Sequence, residues 1–257
     1  MEKHRTALVT GASAGIGKAF ADALAEDGVN LVLVARRADR LEQAASSLRA
    51  AHGIEVTTIT ADLSDPAAPV RIFEETQRQG LMVDYLINNA GVAGPDLLAP
   101  DTWQANAEFH QLMMIAPAHL CHLYVPAMRA RRWGRIVNVA SVAARIPRAG
   151  GCNYGPAKAY LVALSEELAL TLKPEGIKVC ALCPGFTHTE FHNEGPAAEL
   201  KASTPSFVWY ETETVVREGL RALERGRSVY VSGRLYRWID PLFQSVWTRR
   251  LFKVPAR

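Results

Sequence analysis

The chain of 257 residues has little cysteine. Its four, Cys121, Cys152, Cys180 and Cys183, are too few for a disulfide scaffold at this length. Cys180 and Cys183 have C-x-x-C spacing, but no second pair or histidine cluster completes a zinc site, so no metal is expected and core thiols on a buried strand are the reading. No apolar run approaches the roughly 18 residues of a membrane span, which excludes a transmembrane helix. Ala7-Leu8-Val9 is too short for the core of a signal peptide, so the expected location is cytoplasmic. Repeats, low-complexity tracts and Pro/Gly/Ser-rich linkers are absent as well. What is present is an ordinary globular balance, 49% hydrophobic and 21% charged, in a length that suits a single domain over residues 1–257.

Net charge is also scarce, at +3, but it is unevenly spread. From Arg225 to Arg257 eight Lys/Arg stand against Asp240 alone, a balance of +7 that leaves −4 for the remainder. A nucleic-acid protein would spread basic residues over a groove, so no nucleic-acid partner is expected and the tail itself carries the specific feature.

Seven short apolar runs recur along the chain: Thr6–Thr10, Leu31–Ala35, Glu55–Ala61, Tyr85–Asn88, Arg135–Ala140, Lys178–Cys183 and Ser228–Ser232. Most are rich in Val, Ile and Leu, as in strands buried on both faces. Stretches with helical spacing lie between them, such as Leu161, Leu164, Leu168 and Leu172. The alternation predicts an α/β fold, a Rossmann-type doubly wound, mostly parallel sheet with helices on both faces. Ligands of such sheets bind beyond the carboxyl ends of the strands.

After the first run comes Gly11-Ala12-Ser13-Ala14-Gly15-Ile16-Gly17, leading into a helix over Lys18–Glu26. Glycine admits a pyrophosphate close to the backbone, and a helix N-terminus supplies free N–H groups and a positive dipole end. A dinucleotide is the implied ligand.

The G-x-x-x-G-x-G spacing resembles that of the short-chain dehydrogenase/reductase family, and four further motifs follow in the family's order. Asn88-Asn89-Ala90-Gly91 is similar to its N-N-A-G motif, and Ser141 with Tyr154-Gly155-Pro156-Ala157-Lys158 to its Ser…Tyr-x-x-x-Lys site. Pro184-Gly185-Phe186-Thr187-His188-Thr189 is similar to its nicotinamide loop, with Pro184, Gly185, Thr187 and Thr189 in the matching places. Asp62-Leu63 resembles the family's adenine contact. Within the family, the acyl, steroid and general ketone reductases look most similar. The resemblance implies Ser141, Tyr154 and Lys158 as the catalytic set. It implies Gly11, Ser13, Ala14, Gly15, Ile16, Gly17, Asn89, Ala90 and Gly91 around the cofactor, with Tyr154 and Lys158 also touching it.

At the end of the second run an acidic side chain would suit NAD, whereas arginine suits the 2′-phosphate of NADP. The sequence reads Ala35-Arg36-Arg37, so NADP(H) is expected, with Arg36 as the first candidate for the phosphate and Arg37 the second. Tyr154 and Lys158 are four apart and share a helix face. A lysine cation beside a tyrosine is expected to lower its pKa from near 10, preparing it to exchange a proton with a carbonyl oxygen.

One position departs from the family pattern. An asparagine usually stands in the helix before the fifth strand, and here counting back from Pro126-Ala127-Met128 places Met113 there, within one residue. Methionine has no amide, so Gln111 or His110 would have to supply the missing polar group. Met113 also supports the alternative to an NADP(H)-dependent ketone reductase, a catalytically silent NADP-binding sensor or scaffold.

Residues 187–210 hold His188, Phe191, His192, Phe207 and Trp209; the resemblance implies that they cover the substrate, and their apolar and aromatic content suits a hydrophobic ketone better than a sugar. Residues 236–257 form a basic amphipathic extension. Asp240-Pro241 reads as a helix N-cap with proline at the first helical position, followed by a stripe of Leu242, Phe243, Val246, Trp247 and Leu251. That helix could pack on the core, join subunits in a homodimer or homotetramer, or lie on a membrane surface.

Overall fold

In the computed structural model, residues 5–146, 153–190, 204–245 and 247–248 are described. Seven strands form one sheet: β1 (Thr6–Thr10), β2 (Asn30–Ala35), β3 (Val56–Thr60), β4 (Val83–Asn88), β5 (Gly134–Val139), β6 (Ile177–Cys183) and β7 (Val229–Val231). Every pairing is parallel, in the order β3-β2-β1-β4-β5-β6-β7. The strand order reverses between β1 and β4, the point at which sheets of this kind form a ligand crevice at their carboxyl ends.

The helices are α1 (Gly15–Glu26), α2 (Ala38–His52), α3 (Ala68–Arg78), α4 (Trp103–His110), α5 (Ala116–Arg131), α6 (Tyr154–Leu172), α7 (Thr212–Glu224) and α8 (Arg234–Gln244). Side chains of successive strand residues point to opposite faces, so β1 divides its apolar residues between two cores. Ala7 and Val9 meet Phe20 and Leu24 of α1, Leu41 of α2 and Val216 of α7. Leu8 meets Ile72 of α3, Leu120, Tyr124 and Met128 of α5, and Leu172 of α6. Two covered faces explain why the strands read as continuous apolar runs rather than as alternation. Cys180 and Cys183 are fully buried on β6 and Cys121 is buried on α5; burial pushes each thiol up to about 12. Cys152 lies outside the described residues.

The C-terminal expectation needs correction. The final described helix begins at Arg234, after Gly233 at φ 88°, so Asp240 and Pro241 lie inside it and not at its start. Its carboxylate is no cap: Asp240 takes a bidentate ion pair from Arg145, 2.7 Å from Nη2 to Oδ2, with Nε donating to Oδ1. Proline inside the helix forgoes one backbone hydrogen bond, which the helix tolerates because Pro241 sits on its solvent side. Val246, Arg249, Arg250, Leu251 and Lys253 lie outside the described residues. Among the described residues no helix is long and apolar enough to cross a membrane.

Candidate active site

The crevice is built around Thr10, the last residue of β1. Its hydroxyl donates to Ile87 O at 3.2 Å and accepts the N–H groups of Asn89 and Ala90 at 3.0 and 3.1 Å. Asn89 Nδ2 donates to Thr10 O at 2.9 Å and Gly11 O at 3.4 Å. The loop after β4 is thereby locked to the loop after β1. Glycine is required here for space: a Cβ on Gly17 would stand 2.2 Å from Gly11 O, and one on Gly11 2.7 Å from Asn89 Nδ2. Helix α1 begins at Gly15, three residues earlier than expected, with Ala14 as its cap. Among the described residues no side chain caps it, and its first turn holds no acidic residue, so its N–H groups and dipole suit an anion. These features fit a pyrophosphate. A Cβ on Gly15 would lie 3.2 Å from Thr189 Cγ2, which brings the loop after β6 over the same helix end.

Of the adenosine-side residues, Asp62 accepts the N–H and hydroxyl of Ser64 at 3.0 and 2.7 Å. Burial opposes its charge, yet these bonds and Arg36 hold its carboxyl below the usual value. Leu63 is buried in the core under the sheet. Arg36 turns toward Asp62, 3.8 Å away, while Arg37 turns to the glycine loop and reaches Ser13 Oγ at 3.4 Å. Both candidates thus border the adenosine side of the crevice, Arg36 toward Asp62 and Arg37 toward the glycine loop.

The second half of the crevice carries the reactive groups. Ser141 follows β5 and begins a short turn, Val142–Ala144, where its Oγ accepts the Ala143 N–H at 3.1 Å. Tyr154 and Lys158 lie on the first turns of α6. The Tyr154 hydroxyl is hydrogen-bonded to Ser141. Lys158 Nζ stands 5.7 Å from the centre of the Tyr154 ring and donates to Val139 O at 2.7 Å. The expected lowering of the tyrosine does not occur. Burial pushes Tyr154 up to about 12 and Lys158 down to about 8, because both charged forms lose water and a cation at this distance does not offset that loss. Pro184, Gly185 and Thr187 close the same end: Val142 N–H donates to Pro184 O at 3.0 Å, and Thr187 Oγ1 donates to Gly185 O at 3.0 Å.

Met113 lies where expected. It belongs to a five-residue π-helical turn, Gln111–Ile115, inserted between α4 and α5. It is buried, and a Cβ on Gly91 would touch its Sδ at 3.1 Å and Lys158 Nζ at 3.6 Å. A thioether thus fills the space behind the lysine. Neither neighbour replaces the amide. Gln111 is buried with no partner for Nε2 among the described residues, and His110 Nε2 is bonded to Asn153 Oδ1 at 2.6 Å.

Three groups of contacts were not legible in the sequence. Asn153, which precedes Tyr154, donates to Asn106 Oδ1, and Asn106 donates in turn to Thr102 O at 2.9 Å, so a buried amide chain ties α4 to the start of α6. Tyr236 of α8 supports the loop after β6: its hydroxyl accepts Phe186 N–H at 3.3 Å and donates to Val208 O at 3.0 Å. Arg40 joins Arg37 on Glu190. Only Arg40 left a trace in the sequence, as a second cation within one turn of Arg37. Phe186 and His188 both stack on Trp209, with ring centres 5.0 and 5.3 Å apart, while Phe207 is exposed. Phe191 and His192 lie outside the described residues.

The family described as short chain dehydrogenase matches residues 5–199. The chain is 34% identical over 203 residues to the 3-oxoacyl-acyl-carrier-protein reductase FabG of Pseudomonas aeruginosa, covering 77% of this chain and 80% of that protein. It is similar in structure to a short-chain dehydrogenase from Sphingobium yanoikuyae in complex with NADPH, at 33% identity and TM-score 0.81, covering 91% of each chain. A bulky-bulky ketone specific alcohol dehydrogenase from Comamonas testosteroni is 29% identical, with TM-score 0.77 over 95% of this chain and 94% of that one.

Proposed function

The chain belongs to the short-chain dehydrogenase/reductase family of oxidoreductases, and from that premise we propose that it reduces a ketone to a secondary alcohol with NADP(H). The observation that carries this reading is the convergence of Ser141, Tyr154 and Lys158 on one end of a crevice whose other end is shaped for a pyrophosphate. When bound, reduced nicotinamide supplies a hydride to the carbonyl carbon.

The protein's own groups do the rest. Tyr154 donates its hydroxyl proton to the carbonyl oxygen, and in the oxidative direction takes one back. Its position above 7 keeps that proton in place until the oxygen becomes basic. Ser141, whose Oγ already accepts the Ala143 N–H, directs its own hydrogen at the same oxygen. Lys158, charged at neutral pH, faces the tyrosine ring and stabilises the phenolate as it forms. Positioned acid catalysis of this kind contributes about 10²–10⁴-fold.

Arg37 with Ser13 beside the helix end supports NADP(H) over NAD, as do the absence of a carboxylate at Ala35 and the NADPH complex of the Sphingobium relative. Reduction is the favoured direction because NADP is the cofactor of the reduced pool. A hydrophobic ketone is favoured by the apolar and aromatic content of residues 187–210 and the loop before them, where Phe186 and His188 stack on Trp209. Exposed Ile115, Tyr160 and Leu170 support a homodimer or homotetramer, and the buried free thiols suit a cytoplasmic location.

The test is NADPH oxidation against a panel of bulky ketones, β-ketoacyl thioesters and ketosteroids. Turnover with one class identifies the substrate. Tight NADPH binding with no turnover of any of them would favour the silent binding protein, for which Met113 behind Lys158 is the specific observation.

A further inference from the structure

Glu190 stands in an unexpected place for an acidic side chain. It follows Thr189, the residue that reaches Gly15 at the N-terminus of α1, and its carboxylate crosses to the arginines at the start of α2. Arg40 Nη1 donates to Oε1 and Oε2 at 2.9 and 3.1 Å, and Arg37 Nη1 and Nη2 donate to Oε2 at 3.4 and 3.3 Å. The same Arg37 Nη2 reaches Ser13 Oγ. Two guanidiniums thus hold one anion supplied from 150 residues away in the chain, and one of them also reaches a hydroxyl of the glycine loop. Partial burial opposes ionisation of Glu190, yet Arg40 and Arg37 hold its carboxyl below the usual carboxylate value.

We propose that Glu190 is a built-in competitor for the 2′-phosphate of NADP(H), seated in a subsite made by Ser13, Arg37 and Arg40, and that it sets how strongly the protein prefers NADP(H) to NAD(H). The inference rests on the NADP(H) reading given above and assigns Arg40 and Glu190 to it. A phosphate monoester carries about −1.5 to −2 at neutral pH and offers three acceptor oxygens. It outcompetes a carboxylate for two guanidinium forks, each of which matches phosphate geometry. A ligand without the 2′-phosphate has nothing to offer the arginines and leaves Glu190 where it is. All three side chains are about half exposed, so each ion pair is weak and the competition is modest.

The experiment is titration of the full chain with NADPH and with NADH, followed by the fluorescence of the bound reduced nicotinamide. Glu190→Gln is expected to tighten NADPH by about two- to tenfold and leave NADH within about twofold, the range weak surface ion pairs allow. Arg40→Gln is expected to weaken NADPH by a similar factor with NADH unchanged. An unchanged NADPH/NADH ratio in Glu190→Gln, with the wild type still preferring NADPH, overturns this inference alone. Equal binding of NADPH and NADH by the wild type overturns the NADP(H) reading and this inference with it.

Discussion

Asp240→Asn is expected to loosen the C-terminal helix from the strand end that carries Ser141. Arg145 directly follows the Val142–Ala144 turn capped by Ser141, and its guanidinium grips both oxygens of Asp240 from α8. The side chains are only 16% and 19% exposed. Burial works against the charge of Arg145, and Asp240 more than compensates, raising its pKa. Two unit charges about 4 Å apart attract by roughly 4 kcal/mol at an effective dielectric of 20, and desolvation cancels part of that. Removing one partner of a fully buried pair costs about 3–5 kcal/mol and of an exposed pair about 0.2–1, so this site falls near 2 kcal/mol. In a protein of this size that lowers the melting temperature by roughly 4–8 °C. The assay is thermal unfolding of Asp240→Asn, Arg145→Met and the double variant, read as a cycle and accompanied by KM and kcat. A coupling of more than about 1 kcal/mol, with kcat reduced in each single variant, is the expected result. A coupling below about 0.3 kcal/mol, with kcat intact, would show that α8 is not anchored through this pair and does not steady Ser141.

Gly17→Ala is expected to abolish NADPH binding in a titration and lower the melting temperature, since its Cβ would stand 2.2 Å from Gly11 O and 2.4 Å from Asn89 Nδ2, in backbone and side chain that cannot both retreat. Lys158 gives a pH signature in unfolding experiments. Its pKa falls from 10.5 to about 8 on folding, so the Lys158 contribution to stability grows as pH rises between those values, by roughly 3 kcal/mol, while the buried thiols Cys121, Cys180 and Cys183, raised from 9.0 to about 12, act in the opposite sense above pH 9. The stability of the wild type relative to Lys158→Met should therefore rise between about pH 8 and 10.5, and a difference that stays constant with pH would refute the shift. Trp238 and Trp247 are 84% and 89% exposed in the basic C-terminal region, so weak binding to anionic vesicles, lost in high salt and seen as a blue shift of tryptophan emission, is expected. Equal binding to neutral vesicles would refute an electrostatic contribution.

Most strands were legible because both faces of the sheet are covered, which favours short apolar runs such as Leu31–Ala35. The crevice residues were legible because backbone approach demands glycine at Gly11 and Gly17, and spacing along one helix fixes Tyr154 and Lys158 on one face. The C-terminal helix was misread for a physical reason. Asp-Pro is a strong local start signal, but the partner that claims Asp240 is Arg145, 95 residues away, and no local window contains it. The tyrosine was misread because charge proximity is visible in a sequence and desolvation is not. Arg36 and Arg37 could not be told apart in the sequence because these adjacent residues before α2 direct one side chain to Asp62 and the other to Ser13, a choice of direction that spacing alone does not make.

The central claim is that Tyr154 is the proton donor of a hydride-transfer site. It is tested most directly by Tyr154→Phe, with NADPH binding and turnover measured on the same preparation. The account predicts an unchanged dissociation constant for NADPH, within about twofold, and a fall in kcat of about 10²–10⁴-fold. Turnover within about threefold of the wild type, with NADPH still bound, would contradict it and move the proton to another group.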